Sequence, residues 1–450
     1  MEKLFKLKEH GTDVKTESVA GLTTFLAMVY ILAVNPSILS AAGMDSAAVF
    51  TATAVSAAFA TLIMAFYANY PVALASGMGL NAYFAYSVCI PLAKMGVQDP
   101  WKIALAAVFV EGIIFVLLSL TEFREKLVND IPENLKYGIT AGIGLFIAIV
   151  GLKGAGIVAG NESTLVSLGS VGTPQFALAM IGLLIVAALY HFNVRGYILI
   201  GILATWILGM IAQVTGWYVV DVEAGVYSLF PSFSGSFLPA KMSFCSFDFA
   251  WIGSHVIDFA VIVFSFLFVD IFDTVGTLIG IAQKGNLLDE QGKLPRAKQA
   301  LLSDAFGTIF GAMVGTSTVT SYVESSAGVA AGGRTGLSAL VTAILFIIAL
   351  PLSPIFLAIP GFATTPALVW VGLLMMSSIK KMTFDGDIAD VVSGFMAVIM
   401  MPFTYSIANG IMFGMLSWVI LKVLTGKAKD VNGIMWVCFA LFALRIITLL

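Results

Sequence analysis

Six acids stand inside long apolar stretches of this chain: Glu111, Asp258, Asp270, Asp273, Asp304 and Glu324. An acid at the centre of a membrane helix costs roughly 2.5–3.5 kcal/mol on insertion scales, so each needs a reason to be there. No Lys or Arg lies near the middle of these stretches to neutralise them. Low dielectric disfavours the charged form of a carboxyl group, so such acids can take up a proton near neutral pH. Proton-coupled transport requires that chemistry.

Two local patterns sharpen this reading. In Val269–Thr277, helical spacing puts Asp270, Asp273, Thr274 and Thr277 on one stripe. Such a stripe either lines a wet cavity or only bonds to a neighbouring helix. The run Ser317–Val323 is rich in Thr, Ser, Val and Tyr and alternates like a strand. Unpaired strand backbone is tolerated in a bilayer only when buried in protein or facing a cavity. Glu324, Ser325 and the small residues after them read as a helix starting at mid-membrane. There Glu324 either holds a ligand or caps the helix. The first half has a counterpart in Gly77–Phe84, where Asn81 takes roughly the place of Glu324 beside Tyr83 and Phe84. A planar heterocycle wants acceptors for its ring N–H groups, amide or backbone partners and an aromatic face. Asp273, Glu324, Asn81 and Phe84 supply this set, and Thr277 and Ser325 add hydroxyls. Asp304 is read as bracing the second broken segment from behind, with Asp270 and Thr274 in the same supporting layer. Asp258 is placed toward the membrane surface, because 249–282 is longer than one span needs, and Glu111 has no local context.

The elements that position these residues follow from composition. Of 450 residues, 59% are hydrophobic and 11% charged, far from the roughly 25% charged of soluble domains. The apolar residues come in runs of about twenty, the length of a bilayer-spanning helix. The expected spans are 17–40, 47–70, 73–93, 102–120, 134–152, 174–190 and 196–214. A second set covers 249–282, 298–314, 317–332, 335–356, 363–379, 388–404 and 406–425, and 432–450 is either a further span or an interfacial helix. With a cytoplasmic N-terminus, most of the 23 basic residues fall on the cytoplasmic side, among them Arg124, Lys126, Arg195 and Lys293. Seven is odd, so two similar sets must run oppositely through the membrane. Inverted repeats with Gly-interrupted segments point to a carrier whose site lies near the midplane. Pro132 and Pro366 open the fifth spans of the two sets on this reading. The charged start lacks the apolar core of a cleavable signal peptide. Three scattered Cys carry no metal spacing and no disulfide framework.

The stretches Leu22–Pro36, Ala75–Tyr86, Phe266–Gly280, Gly315–Leu340 and Met401–Ile411 resemble the nucleobase–ascorbate transporter superfamily, in particular its AzgA-like purine permease branch. The resemblance implies an all-α membrane fold of seven plus seven inverted spans, with short strands in the third and tenth. It divides the chain into a cytoplasmic tail (1–16), a core domain (17–120 and 249–356), a gate domain (121–214 and 357–450) and an extracellular loop (215–248). It implies substrate contact by Asp273 and Glu324, with these acids also handling the coupled proton. Elsewhere in the superfamily the eighth-span motif is Glu-Ser-Ile-Gly, and here it reads Asp273-Thr274-Val275-Gly276. Proton symport of adenine or of guanine and hypoxanthine, elevator-like movement in the cell membrane and homodimers through the gate domains are the further implications. No cofactor beyond the proton and no nucleic acid are expected.

Three other classes compete with a purine carrier. An anion exchanger of sulfate or bicarbonate type can share this architecture, but two carboxylates in the site repel an anion. An intramembrane enzyme needs a nucleophile–base pair or metal ligands, and His10, His191 and His255 are far from these motifs. A simple channel has no need of broken helices in two opposed halves.

Overall fold

The computed structural model describes residues 2–120, 131–161, 163–194, 196–221, 226–232, 240–289 and 294–449. Arg124, Lys126, Arg195 and Lys293, used in the charge count, lie outside the described residues. The fold is mostly helical. Helix α1, Val14–Met28, is capped by Asp13, which accepts the Thr16 N–H at 2.9 Å. It passes through a turn at Val29–Tyr30 into α2, Ile31–Ser40, and then α3, Ser46–Ile63. The short strand β1, Leu74–Ser76, and short helix α4, Met78–Ala82, follow, continued by wider π-type turns over Tyr83–Cys89. Helices α5, Pro100–Leu120, and α6, Glu133–Gly154, come next. A small hairpin, β2 (Val158–Asn161) and β3 (Leu165–Leu168), was not expected from sequence. It precedes α7, Pro174–His191, and α8, Tyr197–Val214.

The second half repeats the order. Helices α9, Val256–Gly285, and α10, Ala297–Val314, lead to β4, Val319–Ser321, and the short α11, Ser325–Ala330. Then come α12, Gly336–Ile348, α13, Gly361–Met376, α14, Ile388–Phe403, α15, Ile407–Leu424, and α16, Gly433–Leu449. Among the described residues, eight helices are long and apolar enough to cross a membrane. A ninth is added if α12 and the helical stretch that follows it, bent by 45°, form one span. The expected third and tenth spans are strand-and-half-helix segments, and the stretch 432–450 holds one helix, α16. Pro366 lies inside α13 rather than opening it, so the match drawn between Pro132 and Pro366 is off by more than a turn.

Backbone chemistry explains the second break. Gly315 ends α10 at φ 97°, a conformation that strains any side chain with a Cβ. The β-branched run after it then extends as β4. Its partner is β1, antiparallel, with Leu74 opposite Ser321, Ala75 opposite Thr320 and Ser76 opposite Val319. Each broken segment thus satisfies the other's backbone inside the protein, as a bilayer demands. Antiparallel pairing of two equivalent segments is what oppositely running halves produce.

Helices pack in two groups. In one, α1, α3, α5, α9, α10, α11 and α12 contact one another; in the other, α6 packs closely on α13 and α14, with α7 and α8 against α13. The second group relies on glycine. A Cβ on Gly144 would stand 2.6 Å from the Gly372 carbonyl oxygen, and one on Gly372 would stand 2.5 Å from that of Gly144. In the first group, fully buried Glu17 accepts the backbone N–H groups of Arg334 (2.8 Å), Thr335 (3.1 Å) and Ser338 (3.1 Å). A carboxylate on the free N–H groups that open α12 is favourable for both. It ties the first and second halves together.

Candidate functional site

The strand pair, the middle of α9 and the faces of α6 and α13 enclose a cavity. Asp273, Thr277, Thr320 and Glu324 line one side, and Ile143, Ile147, Val371 and Met375 the other. The polar wall comes from the first helix group and the apolar wall from the second. Asp273 and Glu324 are half-buried and near enough to sense each other's charge. The helical stripe predicted for Val269–Thr277 is therefore split by role. Asp273 and Thr277 face the cavity, while Asp270 and Thr274 are fully buried behind it.

Glu324 makes no side-chain capping bond to α11. Instead it accepts the hydroxyl of buried Tyr30 at 2.5 Å. Tyr30 sits in the turn between α1 and α2, where the chain is not bound into a regular helix. The neighbouring Tyr322 hydroxyl donates to the Ser76 carbonyl at 2.6 Å, adding a rung across the strand pair. Sequence reading missed both tyrosines, because one Tyr among apolar residues carries no pattern.

Behind the strands, the Thr274 hydroxyl lies 3.0 Å from Asp304 Oδ2, 3.4 Å from Asp270 Oδ1 and 2.8 Å from the Thr320 hydroxyl. The Ser321 hydroxyl donates to Asp304 Oδ1 at 3.3 Å, and the Thr308 hydroxyl to the Val319 carbonyl at 2.9 Å. Asp304 thus bonds to both β4 and α9.

Three expected contact residues have other partners. Asn81 is fully buried, accepts from the Ser317 hydroxyl and donates to the Ser76 carbonyl at 3.4 Å. It stitches the two broken segments together, and Gly77, Met78 and Gly79 take its expected place on the cavity wall. Phe84 is fully buried, tilted edge-on to Phe266 with ring centroids 6.4 Å apart. The Ser325 hydroxyl accepts the Ala73 N–H at 3.0 Å and holds the approach to β1. Each side chain is held by a partner on another segment: Asn81 by Ser317, Phe84 by the Phe266 ring and Ser325 by the Ala73 N–H. Asp258 begins α9 and pairs with Arg445 of α16, outside the site. Among the described residues, no group of three or more His, Cys, Asp or Glu could hold a metal ion.

Two broken segments, running oppositely and meeting at a pair of acids inside an apolar helical shell, define a membrane transport protein of the inverted-repeat kind. Residues 15–413 match the model of a permease family. The chain is 42% identical over 448 residues to adenine permease AdeP of Escherichia coli K12, covering 99% of this chain and 96% of AdeP. It is 44% identical over 448 residues to guanine/hypoxanthine permease PbuO of Bacillus subtilis 168, covering 99% of this chain and 100% of PbuO. The chain belongs to this permease family, the nucleobase–ascorbate transporters. The fold aligns with the transmembrane domain of a cyanobacterium bicarbonate transporter, BicA, at a TM-score of 0.64 and 15% identity, over 89% of this chain and 96% of that domain. At that identity the likeness extends to the fold alone.

Proposed function

We propose that this permease imports a purine nucleobase, adenine or guanine and hypoxanthine, together with a proton, by alternating access across the cell membrane. The carrying observation is the cavity that presents Asp273 and Glu324 on one wall and an apolar face on the other. A purine offers ring N–H donors to the two carboxyl groups and a flat apolar face to Ile143, Ile147, Val371 and Met375. The Tyr30 hydroxyl orients Glu324, and Thr277 adds a further hydroxyl on the wall. Two carboxylates on one cavity wall repel when both are ionised, and more strongly in a less polar cavity than in water. Binding a proton with the base relieves that repulsion, which couples the two. The purine names of AdeP and PbuO support the substrate class.

In this reading the first helix group is the core domain (17–120 and 249–356) and the second the gate (121–214 and 357–450), with 1–16 a cytoplasmic tail and 215–248 an extracellular loop. The chain makes fourteen passes with its N-terminus in the cytoplasm, pairs through its gate domains, and acts as a carrier and not an enzyme. An anion exchanger of the same architecture fits less well, because both ionisable groups on the cavity wall are acids.

Uptake of radiolabelled hypoxanthine into cells lacking their own purine carriers tests this directly, with adenine, guanine, xanthine and uracil as competitors. Guanine competition alone assigns the guanine–hypoxanthine group, and adenine competition the adenine group. Accumulation should stop when the proton gradient is collapsed. Uptake that follows sodium instead, or no uptake of any purine, sinks the reading.

A further inference from the structure

Glu111 lies fully buried in the middle of α5, and neither carboxyl oxygen has a hydrogen-bond donor among the described residues. Two of the groups that face it are themselves acids. Asp270 of α9 is within hydrogen-bonding reach, and Asp304 of α10 is near enough to act through its charge. No Lys, Arg or His forms an ion pair with Glu111 among the described residues. Two further neighbours of α5 are the segment 83–94, whose one cation, Lys94, is exposed, and the stretch before α9, which meets it through the Phe247 and Phe109 rings. Phe115, Leu267, Ile271 and Ala305 form an apolar cluster on the same three helices. Unshared negative charges are costly in such surroundings, so a carboxyl facing a carboxyl there is accommodated by a proton between them.

This group is wired to the cavity. Thr274 has one hydroxyl proton and three acceptors in reach: Asp270 at 3.4 Å, Asp304 at 3.0 Å and Thr320 at 2.8 Å. Thr320 and Ser321 belong to the cavity wall, and Ser321 also bonds Asp304 at 3.3 Å. Chains of acids and hydroxyls inside membrane proteins are a recurrent form of proton relay.

We propose that Glu111, Asp270 and Asp304 form a second proton-binding site, in which Glu111 and Asp270 share one proton, connected to the cavity through Thr274 and Thr320. A proton arriving at the cavity binds the Thr320 oxygen as Thr320 passes its own to Thr274, and Thr274 passes its own to the Asp270 carboxylate. One proton enters and one is stored, and the return path reverses each transfer. The proposal rests on the proton-coupled reading above and adds a place for the proton other than Asp273 and Glu324.

The test uses purified full-length protein in liposomes, comparing wild type, Glu111→Gln and Glu111→Asp. One assay is exchange of labelled for unlabelled purine at equal pH; the other is accumulation driven by an inward proton gradient. Glu111→Gln should exchange within about twofold of wild type yet lose at least tenfold in gradient-driven accumulation, with a flattened pH profile. Glu111→Asp should recover part of the accumulation. Unchanged accumulation in Glu111→Gln overturns the site, as does parallel loss of exchange and accumulation in both variants, which marks Glu111 as a packing group. Wild-type protein that exchanges neither hypoxanthine, guanine nor adenine overturns the purine reading itself, and this proposal with it.

Discussion

Tyr30 donates to Glu324 across 294 positions of sequence, at 2.5 Å and inside the protein. A hydrogen bond to a charged partner contributes roughly 1.5–3 kcal/mol. If Glu324 holds the substrate as proposed, Tyr30→Phe should therefore raise the apparent KM for uptake about tenfold or more, with folded yield unchanged. An unaltered KM would mean that Glu324 is oriented by other groups. Asp273→Asn and Glu324→Gln each exchange a carboxylate oxygen for an NH2 donor and remove the group that can take up a proton, so each should abolish accumulation of labelled base in cells. Normal accumulation in either variant removes that residue from the mechanism. The two acids stood out in the sequence because their insertion cost demands a reason. Tyr30 did not, because aromatic residues are common in apolar helices and only the fold brings it to Glu324. Asn81 drew notice for its position, yet its partners Ser317 and Ser76 depend on how the two strands align.

At the scale of elements, the strand pair leaves no room for a side chain at Gly77. A Cβ on Gly77 would stand 2.6 Å from Thr320 Cγ2. Gly77→Ala should therefore spread β1 from β4 and lower both the melting temperature and uptake. Thr320→Ser deletes that methyl group but keeps the hydroxyl that meets Thr274, so the double variant should recover most of the loss. Failure of the rescue would show that Gly77 is required for something other than this approach. The broken segments were legible because glycine and β-branched runs oppose an unbroken helix, whereas the pairing register was not, since both strands are short.

The end of α14 is governed by charge instead. Asp387 caps it and bonds both Lys422 and Lys427 at 2.8 Å. Those bonds to lysine hold the Asp387 carboxyl well below the usual carboxylate range. Its stabilisation is thus complete above about pH 4, the unfolded value, and is lost as pH falls further. Asp387→Asn should lower the melting temperature of detergent-purified protein at pH 7 by about 2–4 °C. The gap between variant and wild type should shrink as pH drops below 4, and a gap that persists there would deny the ion pair its role.

Across the whole molecule, the cavity wall is shared between two helix groups, so the proposed alternation of access is a movement of one group against the other. The two-halves pattern was legible in the pair of Gly-interrupted segments, which fold as β1 with α4 and as β4 with α11. The sequence could not settle how each segment crosses, because helices such as α14 are shorter than a straight span and α12 is bent. One contact between the groups offers a direct handle on their motion. Tyr86, beyond β1, meets Tyr405, beyond α14, edge to face with ring centroids 5.8 Å apart, and Lys153 sits 4.7 Å over the Tyr405 ring. Cysteines at 86 and 405 in a Cys245→Ser background can be bridged by mercury, since Cys89 and Cys438 are buried and Cys245 is exposed. Bridging should stop uptake of labelled base, and a thiol reductant should restore it. The single-cysteine variants should stay active under the same treatment, because metal on one side alone joins nothing. Uptake that continues with the bridge in place would mean that the two groups travel together and that the cavity opens by some smaller local movement.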